Sequence, residues 1–182
     1  ESETGFLVHG AVIVDVKSTK GQTNAWAEVL EQGDGQDQPA IIRVWDVAPA
    51  VSVLVKLEDG HSAILAGLRG YIGHAWFDQK GLANVSYIPS TNHSRWQMYE
   101  HKKDKIDRLR ALVAVAVEHN TFNIRSERAA ESLANEIRVE KAIDPTLGLY
   151  AAHAFYQASK DSHIASVLEY MYYDLHADLF DV

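Results

Sequence analysis

The sequence predicts an α+β chain, with an N-terminal antiparallel β-sandwich or small barrel over residues 1–89 packed against a C-terminal four-helix module over residues 90–182. Three observations lead there. Short apolar runs that alternate with period 2, parted by Gly, Asp and Pro, fill the first half. After Pro89 the apolar residues recur at helical spacing instead. No stretch rich in Pro, Gly or Ser separates the halves, so the two are expected to pack together.

The strands follow in order. Phe6 to Val16 reads as one run, with Val12, Val14 and Val16 on one face and Ala11, Ile13 and Asp15 on the other. Thr23 to Leu30 is ambiguous, because AWAEVLE also suits a helix, and the Gly33, Gly35 and Pro39 loop then breaks the chain. Ile41–Val47 and Val51–Leu57 are rich in β-branched residues. Asp59-Gly60 makes a hairpin into His61–Leu68, since such turns need positive φ. Tyr71–Phe77, the turn DQKG and Leu82–Ile88 form a second hairpin. The glycines of GLRGYIG lead into another strand, not a helix, so they read as bends and not as a phosphate loop.

Four helices are expected next. Ser94 with Gln97 three residues on is a capping-box signature, followed by a stripe of Trp96, Tyr99, Ile106, Leu109, Val113 and Val117. A second helix is expected over Ser126–Lys141. Asp144 and Pro145 open the third, because Asp caps and Pro suits the first helical position. The turn SKDS ends it, and Ile164, Val167, Leu168, Met171 and Leu175 mark the fourth.

Composition removes several chemistries. The chain has no cysteine, so disulfides, thiolate metal sites and cysteine nucleophiles are excluded, and a cytoplasmic setting is the simplest expectation. A net charge of −8 argues against nucleic acid as a partner, since phosphate binding is driven by clustered Lys and Arg. No apolar run is long enough to span a bilayer, so no membrane partner is expected. The polar start ESETG at Glu1 reads as the edge of a piece trimmed from a longer protein.

Residue patterns that carry catalysis are not assembled. Nine histidines invite a metal reading, but there is no HExxH, and His93 and His101 lie roughly 80° apart around a helix. His74, within GHAWF, reads as a core or edge histidine. Ser159, Lys160, Asp161 and His163 sit at a helix–helix turn, where capping explains them better than a triad does. The Asn84 and Asn92 glycosylation triplets carry little weight without a secretion signal. No catalytic residue, cofactor or metal ligand is therefore assigned.

Two sets of residues remain as surfaces. In the third helix Leu147, Ala151, Ala154, Phe155 and Ala158 share one face, while Leu149, His153 and Tyr156 make the opposite side apolar as well. Tyr170 and Tyr173 lie off the main stripe of the fourth helix. Together Leu149, His153, Tyr156, Tyr170 and Tyr173 form the candidate partner surface. Trp26, Trp45 and Trp76 could build a sugar-stacking platform, although large aromatics in strands more often fill the core, and that is the expectation. The basic run 101–110 is interleaved with Asp104 and Asp107 and reads as a solvated helix face. From Ala142 to Val182 one Lys meets six acids, a balance of −5, so attraction to the preceding, slightly basic segment should help hold the helices together.

The stretches LANVSYIPS, IDRLRALVAVA and DPTLGLYAAHAF, in that order after a β module, resemble the C-terminal accessory regions of bacterial caspase-like multidomain proteins. The likeness spans about half the chain and holds no catalytic motif; without cysteine, a caspase-type Cys–His dyad cannot lie here. What the resemblance implies is an appended domain. The functional expectation is a non-catalytic interaction or regulatory module that binds a protein partner or an adjoining domain of the same chain. Carbohydrate binding through the β-half tryptophans is the alternative, and a hydrolase built on His153, His163 or His74 with an acid is a third.

Overall fold

The computed structural model describes residues 3–19, 24–35, 37–118, 132, 135–136, 140, 143–157, 159 and 161–175. The chain divides into two compact units, Glu1–Trp96 and Gln97–Val182. The first holds eight strands: β1 Gly5–His9, β2 Ile13–Ser18, β3 Trp26–Glu31, β4 Ala40–Trp45, β5 Ala50–Leu57, β6 Ser62–Leu68, β7 Tyr71–Asp78 and β8 Gly81–Pro89. They form a five-stranded sheet ordered β3-β4-β1-β7-β8 and a three-stranded sheet ordered β2-β5-β6.

Two expectations are corrected here. The strands make two separate sheets, so the unit is not a closed barrel. It is also not wholly antiparallel, since β1 pairs with β7 in parallel from Gly5↔Ile72 to His9↔Trp76. Both corrections have one cause. The run read as a single strand from Phe6 to Val16 breaks at Gly10, whose φ is +76° and where a Cβ would run into the Phe77 carbonyl oxygen. Only glycine tolerates both conditions. The chain therefore leaves one sheet after β1 and enters the other at β2, and β1 is left between β4 and the late strand β7.

Alternation then decides which side chains turn inward. Phe6, Val8, Ile42, Val44, Ala75 and Phe77 are buried from the larger sheet, and Ile13, Val53, Val55 and Leu65 from the smaller. Burying each large side chain contributes about 1.5–3 kcal/mol. Phe6 meets Tyr87 edge-on at 6.5 Å. The Tyr87 hydroxyl donates to the Ala66 carbonyl at 2.8 Å, which ties β8 of one sheet to β6 of the other. At the expected Asp59-Gly60 hairpin, Asp59 Oδ1 accepts from the His61 N–H at 2.9 Å and Gly60 has φ +89°.

The second unit has three helices among its described residues, α1 Trp96–Glu118, α2 Pro145–Gln157 and α3 Asp161–Leu175, in place of the four expected. The expected helix over 126–141 lies almost wholly outside the described residues. α1 begins at Trp96, which puts Ser94 one position outside the cap. His93 does the tethering instead: its carbonyl accepts from the Trp96 N–H at 3.0 Å, and its Nδ1 accepts from the Arg95 N–H at 3.1 Å. Tyr99, Ile106, Leu109 and Val113 are buried from α1, Leu147, Ala151, Ala154 and Phe155 from α2, and Val167 and Met171 from α3. Leu168, expected on the buried stripe, is exposed instead. No helix among the described residues is long and apolar enough to cross a membrane.

Asp144 caps α2 as expected, its Oδ1 accepting from the Thr146 N–H at 3.0 Å. Its other oxygen accepts from Arg110 Nε of α1 at 2.7 Å, with the carboxylate fully buried. Burial works to lower the Arg110 pKa, but the charge and hydrogen bond of Asp144 outweigh it and hold it above its ordinary value. A second buried carboxylate, Glu140, takes Lys102 and Lys105, each at 3.0 Å. Burial alone would raise its pKa; the two lysines reverse the sign and hold it below the usual carboxylate value. The expected attraction between basic and acidic segments is thus concentrated at Arg110–Asp144.

Candidate interaction surface

The larger sheet has an outer face as well as an inner one, and strand register fixes what stands on it. Leu7 lies beside Ile41 on one side and His74 on the other. Ile72 lies beside Ile88, His9 beside Trp76, and Trp45 beside Trp26. Leu7, Ile41, Ile72 and Ile88 remain half-buried on this face, while the side chains that alternate with them are buried in the core. A strand with apolar residues on both faces is covered on both or offers one to a partner.

Aromatic rings close the face at its two ends. At one end Trp26 and Trp45 stack at 5.6 Å with 20° between planes. Arg43 lies over the Trp45 ring at 4.8 Å, and Trp45 Nε1 donates to Glu28 Oε1 at 3.1 Å. Trp45 is thus held by ring, cation and carboxylate together. Trp26, on edge strand β3, stays 46% exposed. At the other end His9, His74 and Trp76 form a cluster of near-parallel rings, with His9–Trp76 at 4.8 Å, His74–Trp76 at 5.5 Å and His9–His74 at 5.7 Å. Trp76 is 37% exposed. Burial pushes the His9 pKa down, and its Nε2 is shielded with no protein hydrogen-bond partner.

The expectation that the three tryptophans fill the core is therefore corrected. Inward places on β1, β4 and β7 go to Phe6, Val8, Ile42, Val44, Ala75 and Phe77, and alternation sends the indoles outward. A signal for this was present in YIGHAWF, where both period-2 sets are apolar or aromatic.

Charge is sparse on the inner strands of this face. Among β4, β1 and β7 the charged side chains are Arg43, paired with Glu3 at 3.3 Å, and Asp78 at the far end of β7. Edge strand β3 adds two carboxylates, Glu28 opposite Arg43 and Glu31 opposite Ile41. The face has an apolar centre, aromatic ends and an acidic margin along β3.

The helical candidates are placed as follows. Leu149, half-buried, and His153 and Tyr156, both exposed, fall on one side of α2 within about 60° at 100° per residue. Tyr156 is 69% exposed. The inward side of that helix carries Leu147, Ala151, Ala154 and Phe155 of the face expected from the sequence, and Ala158 lies outside the described residues. Tyr173 of α3 is 64% exposed, and its ring meets Tyr172 edge-on at 6.2 Å. Tyr170 lies in α3, but its side chain is outside the described residues. The structure thus gathers three of the five on one helix face and sets Tyr173 on another helix.

Of the histidines considered for chemistry, His153 and His101 are exposed on their helices, while His163 and His93 pack against aromatic rings. His163 lies against the Phe155 ring at 4.9 Å, and His93 against Tyr71 at 4.9 Å, where Arg95 also donates to the Tyr71 hydroxyl at 2.7 Å. Burial, and then the charge of Arg95, push the His93 pKa down. Among the described residues no three His, Asp or Glu side chains gather as a metal-holding group.

Fold and surface together define a class: an α+β chain with a unit of eight strands in two sheets followed by a helical unit, with one face of the five-stranded sheet apolar and aromatic. No protein-family model, curated protein or solved structure matches this chain.

Proposed function

We infer that this chain is a non-catalytic interaction or regulatory module of a larger multidomain protein, and that it binds a protein partner or an adjoining domain. The observation that carries this reading is the outer face of the five-stranded sheet, with half-buried Leu7, Ile41, Ile72 and Ile88 between the exposed Trp26 and Trp76. An apolar centre rich in aromatics, poor in charge and edged by polar groups is the make-up of protein–protein interfaces. The exposed Leu149–His153–Tyr156 side of α2 and Tyr173 of α3 offer a second contact area. The likeness of three segments to accessory regions of caspase-like proteins supports the role of an appended module. Absence of cysteine fits a cytoplasmic setting.

Hydroxyl-radical footprinting tests the reading, with the chain measured alone and within its parent protein. Leu7, Ile72 and Trp76 are expected to lose reactivity in the parent; unchanged reactivity there overturns it. Carbohydrate binding is the second reading, favoured by the open ring of Trp26. Its weakness is the aliphatic floor between the two aromatic ends, which gives sugar hydroxyls few partners. Affinity electrophoresis in soluble polysaccharides, with Trp26→Ala as control, decides it: retardation lost in the variant supports it, and no retardation ends it.

A further inference from the structure

We propose that the outer face of the five-stranded sheet docks a single amphipathic α-helix whose apolar stripe is flanked by Lys or Arg along one margin. This rests on the interaction-module reading and specifies its partner.

The dimensions select a helix. The three inner strands β4, β1 and β7 lie side by side, and at about 4.8 Å between neighbours they present a strip roughly 10 Å wide, the width of one helix. Six-residue β4 and eight-residue β7 run roughly 20–26 Å at about 3.3 Å per residue. That length is matched by a helix of about 14 residues. Leu7, Ile41 and Ile72 form the floor of this strip. Trp45 at one end and Trp76 at the other bound it along the strand direction, since β1 meets Arg43 of β4 at Gly5 and Trp76 of β7 at His9.

Charge selects the margin. Glu28 and Glu31 line the strip on the β3 side. On the opposite side β8 supplies Asn84, Ser86 and Ile88, without charge. Arg43 is already engaged by Glu3 and by the Trp45 ring, and Glu28 accepts from Trp45 Nε1, so the exposed Glu31 is the β3 carboxylate that meets an incoming cation, with the Glu28 charge beside it. A helix with basic residues on the side facing β3 is attracted; one with acidic residues there meets like charge in a chain of net −8.

The test uses the 182-residue chain and two synthetic helical peptides of about 14 residues with the same leucine stripe, one flanked by lysines and the other by glutamates. Calorimetric titration is expected to show binding of the lysine peptide and none of the glutamate peptide. Ile72→Asp is expected to weaken the lysine peptide by roughly tenfold or more, and Glu31→Lys, at an exposed site, by several-fold. Footprinting is expected to show Leu7 protected by the lysine peptide. Should Ile72→Asp fail to fold, Glu31→Lys and the footprint still decide. Equal binding of both peptides overturns the proposal, as does lysine-peptide binding that leaves Leu7 reactive or ignores Glu31→Lys, which would be attraction to net charge alone. Concentration-dependent self-association through this face, or Leu7 protected before peptide is added, also overturns it by naming a different occupant. If the lysine peptide fails while the parent protein protects Leu7 and Ile72, this inference falls and the interaction-module reading stands; if neither protects, both fall.

Discussion

Asp144 uses one carboxylate for two tasks, capping α2 through Thr146 and holding Arg110 of α1 at 2.7 Å. Removing one partner of a buried ion pair leaves the other unpaired, which typically costs about 3–5 kcal/mol, and a lost cap adds about 1 kcal/mol. Asp144→Ala is therefore expected to destabilise the helical unit by several kcal/mol, read as an earlier urea midpoint in the helical circular dichroism signal. Asp144→Asn keeps a capping oxygen and should fall between the two. An unchanged midpoint in Asp144→Ala would mean that Arg110 finds solvent at no cost. The capping role was legible, because Asp-Pro before an apolar run is a strong local signal. The link to Arg110 joins residues 34 apart, and no local pattern carries it.

His93 gives a pH dependence with a definite sign. Its ordinary pKa is 6.5, and burial together with Arg95 places the folded value lower. As pH falls through 6.5 the unfolded chain takes up a proton that the folded chain still refuses, so stability is full above that value and declines below it. His9, lowered by burial, acts in the same direction. Urea unfolding followed by tryptophan fluorescence should give a lower midpoint near pH 5.5 than near pH 7.5. His93→Asn keeps an acceptor for the Arg95 N–H and removes the titration, so its dependence should be shallower. Equal slopes in both proteins would clear His93 of the effect.

Among the elements, hairpins were the most legible and the sheet order the least. Asp59-Gly60 and the alternation of β4 through β8 are local, and the strands fall close to where period 2 puts them. The parallel pairing of β1 with β7 joins segments more than sixty residues apart in sequence and depends on a break inside VHGAVIVDV that hydrophobic patterning does not show. That break gives an expectation of its own. Gly10→Ala adds a Cβ against the Phe77 carbonyl and forces an L residue to φ +76°. The conformation alone costs about 1–2 kcal/mol, and the contact with backbone adds to it, so the melting temperature should drop by several degrees. Gly60→Ala sits at φ +89° with open space around its Cβ position, so it carries the conformational cost alone and should drop less. Equal losses would show that the β1–β2 corner relaxes freely.

At the scale of the molecule, the two candidate surfaces differed in how far the sequence revealed them. Leu149, His153 and Tyr156 follow from a 100° repeat, because a helix with two apolar sides is recognisable from its own residues. The outer sheet face needs four strands to be aligned before Leu7, Ile41, Ile72 and Ile88 share one surface, and large aromatics in strands favour an inward reading. The same logic of two apolar faces, applied to YIGHAWF, identifies Ile72, His74 and Trp76 as one set and Tyr71, Gly73, Ala75 and Phe77 as the other. Which set points inward follows only from packing, where Gly73 leaves room for the Phe6 ring of the neighbouring strand, and a bulky indole would not.

This division between faces separates stability from solubility. Ile72 contributes nothing to the space between the sheets, so replacing it with Lys forfeits little core packing, and its cost should stay within about 1 kcal/mol. The same change places a charge in the middle of the apolar face, where it discourages contact between exposed patches on separate molecules. Ile72→Lys is therefore expected to raise the concentration at which the isolated chain aggregates while leaving its melting temperature within a few degrees of the parent value. Ile42→Lys, two strands away and on the inward side, should abolish folding because its ammonium would be buried unpaired. Static light scattering beside a thermal melt separates the two effects. If Ile72→Lys unfolds the chain as Ile42→Lys does, the outer face is part of a second core and not a surface for binding.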